Sequence, residues 1–352
     1  MKPKTKRVGA VSGGEVDGHL FHVIRDRQFG GHRCFLCGCR LNKKNRADEH
    51  VIPKWAQTRF SLYNQRLILL NGTTIPYREL TIPCCRECNG KHLKPLEDKM
   101  AAATLKGPSA VASLGELTLF LWLGKIFYGL LYKELFLMRD RASKSKKSIV
   151  TKKILKQFDL HQVFLQAARL PMKFIPDLPA SIFVFRMAQI KDKRLQWDFR
   201  DSPILMTVAC RVGKTAILAA LQDGGAQRDC KAMAWKKYKR LHLRPLHFAE
   251  LTAAFFYYAR LMNRTPKFMV IDSGDKTPTH VVQNPLQGFS MKPIFDEWNP
   301  TEFERVLAGI TGFPFESVCN PGKGVASWLH DEAGKVKLKP VPNLILNQLR
   351  LA

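Results

Sequence analysis

Two Cys-x-x-Cys pairs, Cys34/Cys37 and Cys85/Cys88, stand far apart in the chain. Four thiolates arranged in this way suit a single tetrahedral zinc ion. Each pair forms a knuckle whose backbone amides turn toward the sulfurs, which is why the two-residue spacing recurs. Cys39 and Cys84 sit beside the pairs and stand as alternative ligands. Six of the nine cysteines fall in these two clusters, a distribution that predicts metal binding in a reducing compartment rather than a disulfide framework. The competing reading, ordinary reduced core cysteines, is disfavoured because two matched pairs seldom coincide. Cys210, Cys230 and Cys319 are isolated and read as core or surface residues.

Between the pairs runs Ala47-Asp48-Glu49-His50-Val51-Ile52-Pro53, and directly after Cys88 come Asn89, Gly90, Lys91 and His92. A histidine that follows two carboxylates and precedes two β-branched apolar residues suggests a strand delivering His50 to a polar site. Zinc at the base would fix that strand relative to a helix starting near Cys88. A hydrolytic site needs that kind of fixed relation, with a base and a second metal ion held close together. The alternative for His50 is a surface-strand histidine paired with Asp48 or Glu49, or a zinc ligand.

Taken in order, the first pair, Glu-His-Val-Ile-Pro and the second pair followed by Asn resemble the HNH (ββα-metal) endonuclease signature. The resemblance covers about residues 30–100. It implies a structural zinc on Cys34, Cys37, Cys85 and Cys88 and a catalytic Mg²⁺ or Mn²⁺. It assigns His50 as the general base that takes a proton from the attacking water, and Glu49 and Asn89 as ligands of the catalytic ion. Asp48 is an alternative to Glu49, because Asp is common at that position, and His92 is an alternative to Asn89. The middle asparagine of the motif has no clear match; Glu79 lies near its place and Asn71 earlier, in a turn. The resemblance implies phosphodiester hydrolysis in DNA, by a family that serves phage defence, restriction and mobile elements. One such unit nicks a single strand unless a second copy or a partner protein supplies another site. A zinc-ribbon nucleic-acid-binding protein without catalysis, or a ribonuclease with the same site, are the alternatives.

These residues need elements to position them. The expected fold class is α+β, with a small zinc-stapled module followed by a larger mixed α+β domain. The predicted divisions are a basic lead over 1–28, the HNH-like module over 29–110 and a domain of unassigned role over 111–352 that contacts nucleic acid or a partner. Leu114 to Arg139 predicts an apolar helix; Lys125, Lys133 and Glu134 interrupt it short of the ~20 residues that span a bilayer, so its lysines should turn to one edge or snorkel. Ser181 to Ile190 and Ile204 to Leu221 predict antiparallel strands, with a turn at Asp223-Gly224-Gly225. Leu246 to Met262 predicts a second helix.

The formal charge is +28, from 57 Lys and Arg against 29 Asp and Glu. Residues up to Ser109 carry 20 basic and 9 acidic groups and the remainder 37 and 20, so both parts are basic. Such a field attracts polyanions, nucleic acid before a membrane surface. Met1 to Arg7 is basic with no apolar segment behind it, so no secretory signal is expected and the predicted location is the cytoplasm.

Three further patterns could carry chemistry. Val212-Gly213-Lys214-Thr215 resembles the end of a phosphate-binding loop, but Val208 stands where the earlier glycine is required, so nucleotide binding is not expected. Lys231 and Trp235 to Arg240 interleave aromatics with cations, which suits base stacking and equally a solvated helix face with Trp235 in the core. The lysines from Lys144 to Lys156 read as a solubilising loop, and Phe255 to Tyr258 as core.

Overall fold

The computed structural model describes residues 19–22, 30–137, 148–272, 278–288, 290–320, 324–325 and 327–339. Of the basic lead expected over 1–28 only 19–22 are described, and Lys144, Lys146 and Lys147 lie outside the described residues. The fold is mixed α+β. It begins with strand β1 (Glu49–His50), helix α1 (Lys54–Arg59), a hairpin of β2 (Arg66–Ile68) and β3 (Thr74–Pro76), and strand β4 (Thr81–Ile82). A π-helical turn, Cys88–Leu93, then leads into α2 (Lys94–Lys106), followed by α3 (Pro108–Ala112) and the apolar α4 (Glu116–Glu134). Next come α5 (Lys152–Lys156), α6 (Asp159–Leu165), and strands β5 (Met172–Ile175), β6 (Ser181–Met187), β7 (Trp197–Ser202), β8 (Thr207–Val212) and β9 (Thr215–Ala220). The chain continues through α7 (Ala226–Lys236), β10 (His242–Leu243), α8 (Pro245–Leu261), β11 (Phe268–Ile271), β12 (Thr279–Gln283) and α9 (Pro300–Thr311).

Strands β6 to β10 form one sheet in the order β10-β6-β9-β8-β7, antiparallel except where β10 joins β6. The antiparallel strands expected over 181–190 and 204–221 are therefore β6, β8 and β9. Their turn settles the Val212-Gly213-Lys214-Thr215 pattern: Val212 pairs with Thr215, and Gly213 has φ 61°. Glycine at the first position of a two-residue hairpin supplies the positive φ that such a turn needs. No helix follows, so no phosphate cradle exists here. A smaller sheet has the order β11-β12-β5.

Helix α4 is buried along nearly its whole length, because Leu, Phe, Trp and Tyr occupy every face of it. It touches β4, α2, α6, β6 and β8. One apolar cluster consequently runs from Cys34, Val51 and Ile82 through Trp122 and Phe127 to Phe164, Trp197 and Val281. The cysteine-bearing part and the later sheet share this core. On the far side of the larger sheet α8 covers a second cluster, in which Phe255 and Phe256 are buried with Trp235 and Tyr238. Lys236, Lys237, Lys239 and Arg240 meanwhile face solvent, so the aromatics of this stretch serve the core and its cations the surface. Lys152, Lys153 and Lys156 are likewise exposed on α5. Among the described residues no helix is long and apolar enough to cross a membrane.

Close helix packing depends on glycine where α4 meets α6. A Cβ on Gly124 would come within 2.9 Å of the His161 ring and 3.1 Å of Leu165, both fully buried side chains. Gly124→Val should therefore cost about 1–3 kcal/mol by overpacking. Urea unfolding followed by circular dichroism would measure this; an unchanged midpoint would show that the α4–α6 contact yields freely.

Candidate metal centre and the polar edge beside it

The site is built on a strand pair that extends past its two labelled residues. Glu49 and His50 face Ile82 and Thr81, Arg46 bridges to Cys85, Ala47 N donates to Cys84 O at 2.9 Å and Val51 N donates to Leu80 O at 2.8 Å. Side chains alternate along such a ladder. Glu49 and Val51 are buried, whereas Arg46 and Asp48 are exposed and His50 is half-buried. The helix bearing Asn89 follows the second strand at once, and Asn89 N donates to Cys85 O at 2.9 Å.

The structure brings Cys34, Cys37, Cys85 and Cys88 together, with one ligand atom from each within 4.8 Å of all the others. Tetrahedral zinc with Zn–S bonds of about 2.3 Å separates its sulfurs by about 3.8 Å. The Cys37 and Cys85 sulfurs are 3.8 Å apart. Both knuckles are formed: Gly38 N donates to Cys34 O at 2.9 Å, and Cys88 N donates to the Cys85 sulfur at 3.3 Å. Burial opposes charge on Cys34, yet hydrogen bonds from Cys37, Cys39, Cys84 and Cys85 hold it well below an ordinary thiol. The donor set fits zinc by number, softness and spacing. Cys84 lies 3.8 Å from Cys34 but outside the set of four mutually close sulfurs, and Cys39 is half-buried beside it. Gln162 of α6 ties the first knuckle to the rest of the fold, donating to Phe35 O and Leu36 O at 3.3 and 3.2 Å.

Glu49 lies on the inner face. Its Oε1 accepts from Lys125 Nζ at 2.7 Å, and the same ammonium donates to Glu97 Oε1 at 2.6 Å and to His50 O at 3.2 Å. All three ammonium donors of Lys125 are thereby used. Glu97 Oε2 also accepts from the indoles of Trp55 and Trp122, at 2.9 and 3.0 Å. Lys125 is 1% exposed, so it neither snorkels nor lies along a helix edge; α4 buries it because two carboxylates are there to meet it. Burial pushes Glu49 above its ordinary range, against the pull of Lys125.

On the outer face, burial first and then Lys54 and Lys125 hold His50 below its ordinary value, so it is neutral near pH 7. Asp48 pairs with Arg46 at 3.0 Å, and both side chains are more than a third exposed. Asn89 donates from Nδ2 to Asp48 O at 3.3 Å, which anchors the amide beside the strand, and among the described residues no donor reaches its Oδ1. His92 lies three residues on in the same π-helical turn, lowered by burial and then by Lys91. Of the stand-ins for the middle asparagine, Asn71 accepts from Thr73 N and Oγ1 inside the β2–β3 turn, and the exposed Glu79 pairs with Arg78.

Sequence reasoning missed Lys125, Glu97, Trp55 and Trp122 as parts of the site. The one available signal was a lysine inside an otherwise apolar helical run. No family model, curated protein or solved structure matches this chain.

Two outcomes are expected. Purified protein should carry one zinc by elemental analysis, lost in Cys34→Ser and Cys88→Ser but kept in Cys39→Ser; loss in the last variant would revise the ligand set. Lys125→Met should cost about 3–5 kcal/mol, because it strands two buried carboxylates. Adding Glu49→Gln and Glu97→Gln should recover most of that in urea titrations, and a Lys125→Met variant as stable as wild type would show the ion cluster to be dispensable.

Proposed function

We propose that the chain is a metal-dependent endonuclease of the HNH class that hydrolyses phosphodiester bonds in DNA. The observation that carries this reading is the strand–strand–helix unit. A four-cysteine cluster locks it at one end, and Asp48, His50 and Asn89 occupy its solvent-facing edge.

In this reading His50 is the general base. Its neutral imidazole accepts a proton from a water whose oxygen attacks phosphorus; the bond from phosphorus to the 3′-oxygen breaks, and that oxygen leaves with the bonding electrons and takes a proton from solvent. The residues suited to hold a hard divalent cation are Asp48, through its carboxylate, and Asn89, through Oδ1, with His92 within the same turn. When bound, Mg²⁺ or Mn²⁺ supplies Lewis acidity at the phosphate and charge stabilisation for the leaving oxygen. Glu49 does not fit this role: its carboxylate is turned inward and ion-paired. We assign it to positioning the His50 strand.

Exposed cations across both parts of the chain suit the DNA backbone, and a second copy or a partner protein would be needed for double-strand breaks. The inward turn of Glu49 also favours a second reading, a zinc-stapled nucleic-acid-binding protein without catalysis.

Supercoiled plasmid incubated with the protein and Mg²⁺ or Mn²⁺ tests this. Nicking should vanish with EDTA and fall by about 10²–10⁴-fold in His50→Ala, while DNA binding persists. Asp48→Asn should raise the Mg²⁺ concentration required, whereas Glu49→Gln should lower stability and leave that requirement unchanged. No cleavage of plasmid, single-stranded DNA or RNA by folded, zinc-loaded protein would favour the binding protein, and cleavage of RNA alone would make it a ribonuclease.

A further inference from the structure

A separate cleft of about 680 Å³ opens between the β2–β3 hairpin, the C-terminal half of α4 and the edge strand β7. It uses none of the residues of the Asp48–His50–Asn89 edge. Alternation along β7 puts Trp197, Phe199 and Asp201 on one face, and Trp197 and Phe199 belong to the same apolar cluster as Leu130 and Leu131 of α4. On this side the cleft has apolar and aromatic walls and two carboxyl groups, Glu134 from α4 and Asp201 from β7.

The cations lining the cleft are already committed. Arg66 bonds Thr74, Arg200 is paired with Asp198, and Arg211 donates to the backbone oxygens of Gly213 and Ala188. Asp198, Arg200 and Arg211 also lie on the opposite face of the sheet, Asp198 being directly across from Arg211. Glu134 is 4% exposed, and among the described residues the one hydrogen bond to its carboxyl is from Leu70 N to Oε1, at 2.8 Å. Among the described residues no cation pairs with Glu134 or with Asp201, in a chain of net charge +28. Trp197, 5% exposed, lines the same wall with its buried indole N–H beside the Tyr77 hydroxyl.

Buried carboxyls are ordinarily paired or hydrogen-bonded. Glu134 and Asp201 lack a cationic N–H partner, and the space beside them, lined about equally by polar and apolar groups, has the size of a small-molecule site. We propose that this cleft binds a small organic cation, an amine, amidine or guanidine on an apolar or aromatic body, whose nitrogen donates to Glu134 and Asp201 while its body lies against Trp197, Phe199 and Leu130. A bare divalent ion fits worse. It needs six or more oxygens, whereas one Glu134 oxygen already takes an amide and the side chains of Trp197, Phe199 and Leu130 beside the two carboxyls offer none. Burial first, then the charge of Asp201, raises Glu134 to about 7, and burial raises Asp201 to about 6, which is the state of two carboxyls lacking a counter-charge. Nothing in this assignment depends on the endonuclease reading.

Benzamidine and its neutral isostere benzamide, titrated calorimetrically into the full chain at pH 8, test the assignment. Benzamidine should saturate one site and bind about tenfold more tightly than benzamide, the scale of one charge-assisted hydrogen bond. Glu134→Gln and Asp201→Asn should each remove that preference while zinc content and near-ultraviolet dichroism stay unchanged. The wild-type comparison decides alone if a variant fails to fold. Equal binding of the two compounds, no saturable benzamidine binding, a preference that survives both substitutions in folded protein, or displacement of benzamidine by one equivalent of Mg²⁺ or Ca²⁺ would each overturn it.

Discussion

The buried ammonium of Lys125 is the constraint on which the geometry of the polar edge rests. It lies between the carboxylates of Glu49 on the His50 strand and Glu97 on α2, and its third proton goes to the backbone oxygen of His50. The four cysteines join strand and helix near Cys85 and Cys88. Glu97 is nine residues further along the helix, roughly 13 Å at 1.5 Å per residue. A strand and helix fixed only at the cysteines could pivot; fixed also at Glu97, they cannot. The second fixing point comes from α4, beyond the segment that carries the motif. The stacked indoles of Trp55 and Trp122, both donating to Glu97, complete the enclosure and leave water little access to the ion cluster. Such a cluster is weak evidence for net stability, because desolvating three charges offsets much of their attraction, but it penalises any arrangement that separates them.

The strand's two faces divide the labour. Two successive residues of a β-ladder cannot face the same side. With His50 turned toward solvent, its neighbours Glu49 and Val51 must turn inward, and both are buried. Val51 meets Gly129 of α4, where a Cβ would approach its methyls to 3.0 Å, so the strand sits as close to the helix as glycine permits. The residue preceding a strand-borne histidine is thus available for positioning and unavailable to an ion on the histidine's side. The residue two before it, Asp48, shares that side. By this parity Asp48 is the better carboxylate for the proposed chemistry.

What could be read from sequence was local. The cysteine spacing, the apolar helix, the antiparallel strands and the core role of Phe255 and Phe256 each depend on patterns a few residues long, and the fold contains them. Lys125 could not be read in this way: its partners lie 76 and 28 residues away, and a lysine in an apolar run has snorkelling as its cheaper solution unless two carboxylates happen to converge on it. The choice between Glu49 and Asp48 was equally hidden, because adjacent carboxylates look interchangeable until the register of the strand is known. The shared core had no sequence signal either, since composition changes near residue 110 while packing does not.

The charge of the chain and the chemistry of the edge pull in opposite directions, and that tension constrains how the proposed site could work. A net charge of +28 repels divalent cations over a Debye length, while the edge offers one exposed carboxylate, already paired with Arg46, and one amide. Such a set is a poor resting site for Mg²⁺, which keeps its waters unless several hard oxygens compete for them. A nucleic-acid backbone changes both terms. It neutralises the surrounding basic surface, and its phosphate oxygens add hard ligands beside Asp48 and Asn89. At the proposed site the ion and the nucleic acid would bind with positive coupling, each raising the affinity of the other by the same factor. In the proposed nuclease the basic surface would then have a role beyond attraction: without substrate it would keep the edge short of the ion, and so tie hydrolysis to a bound backbone.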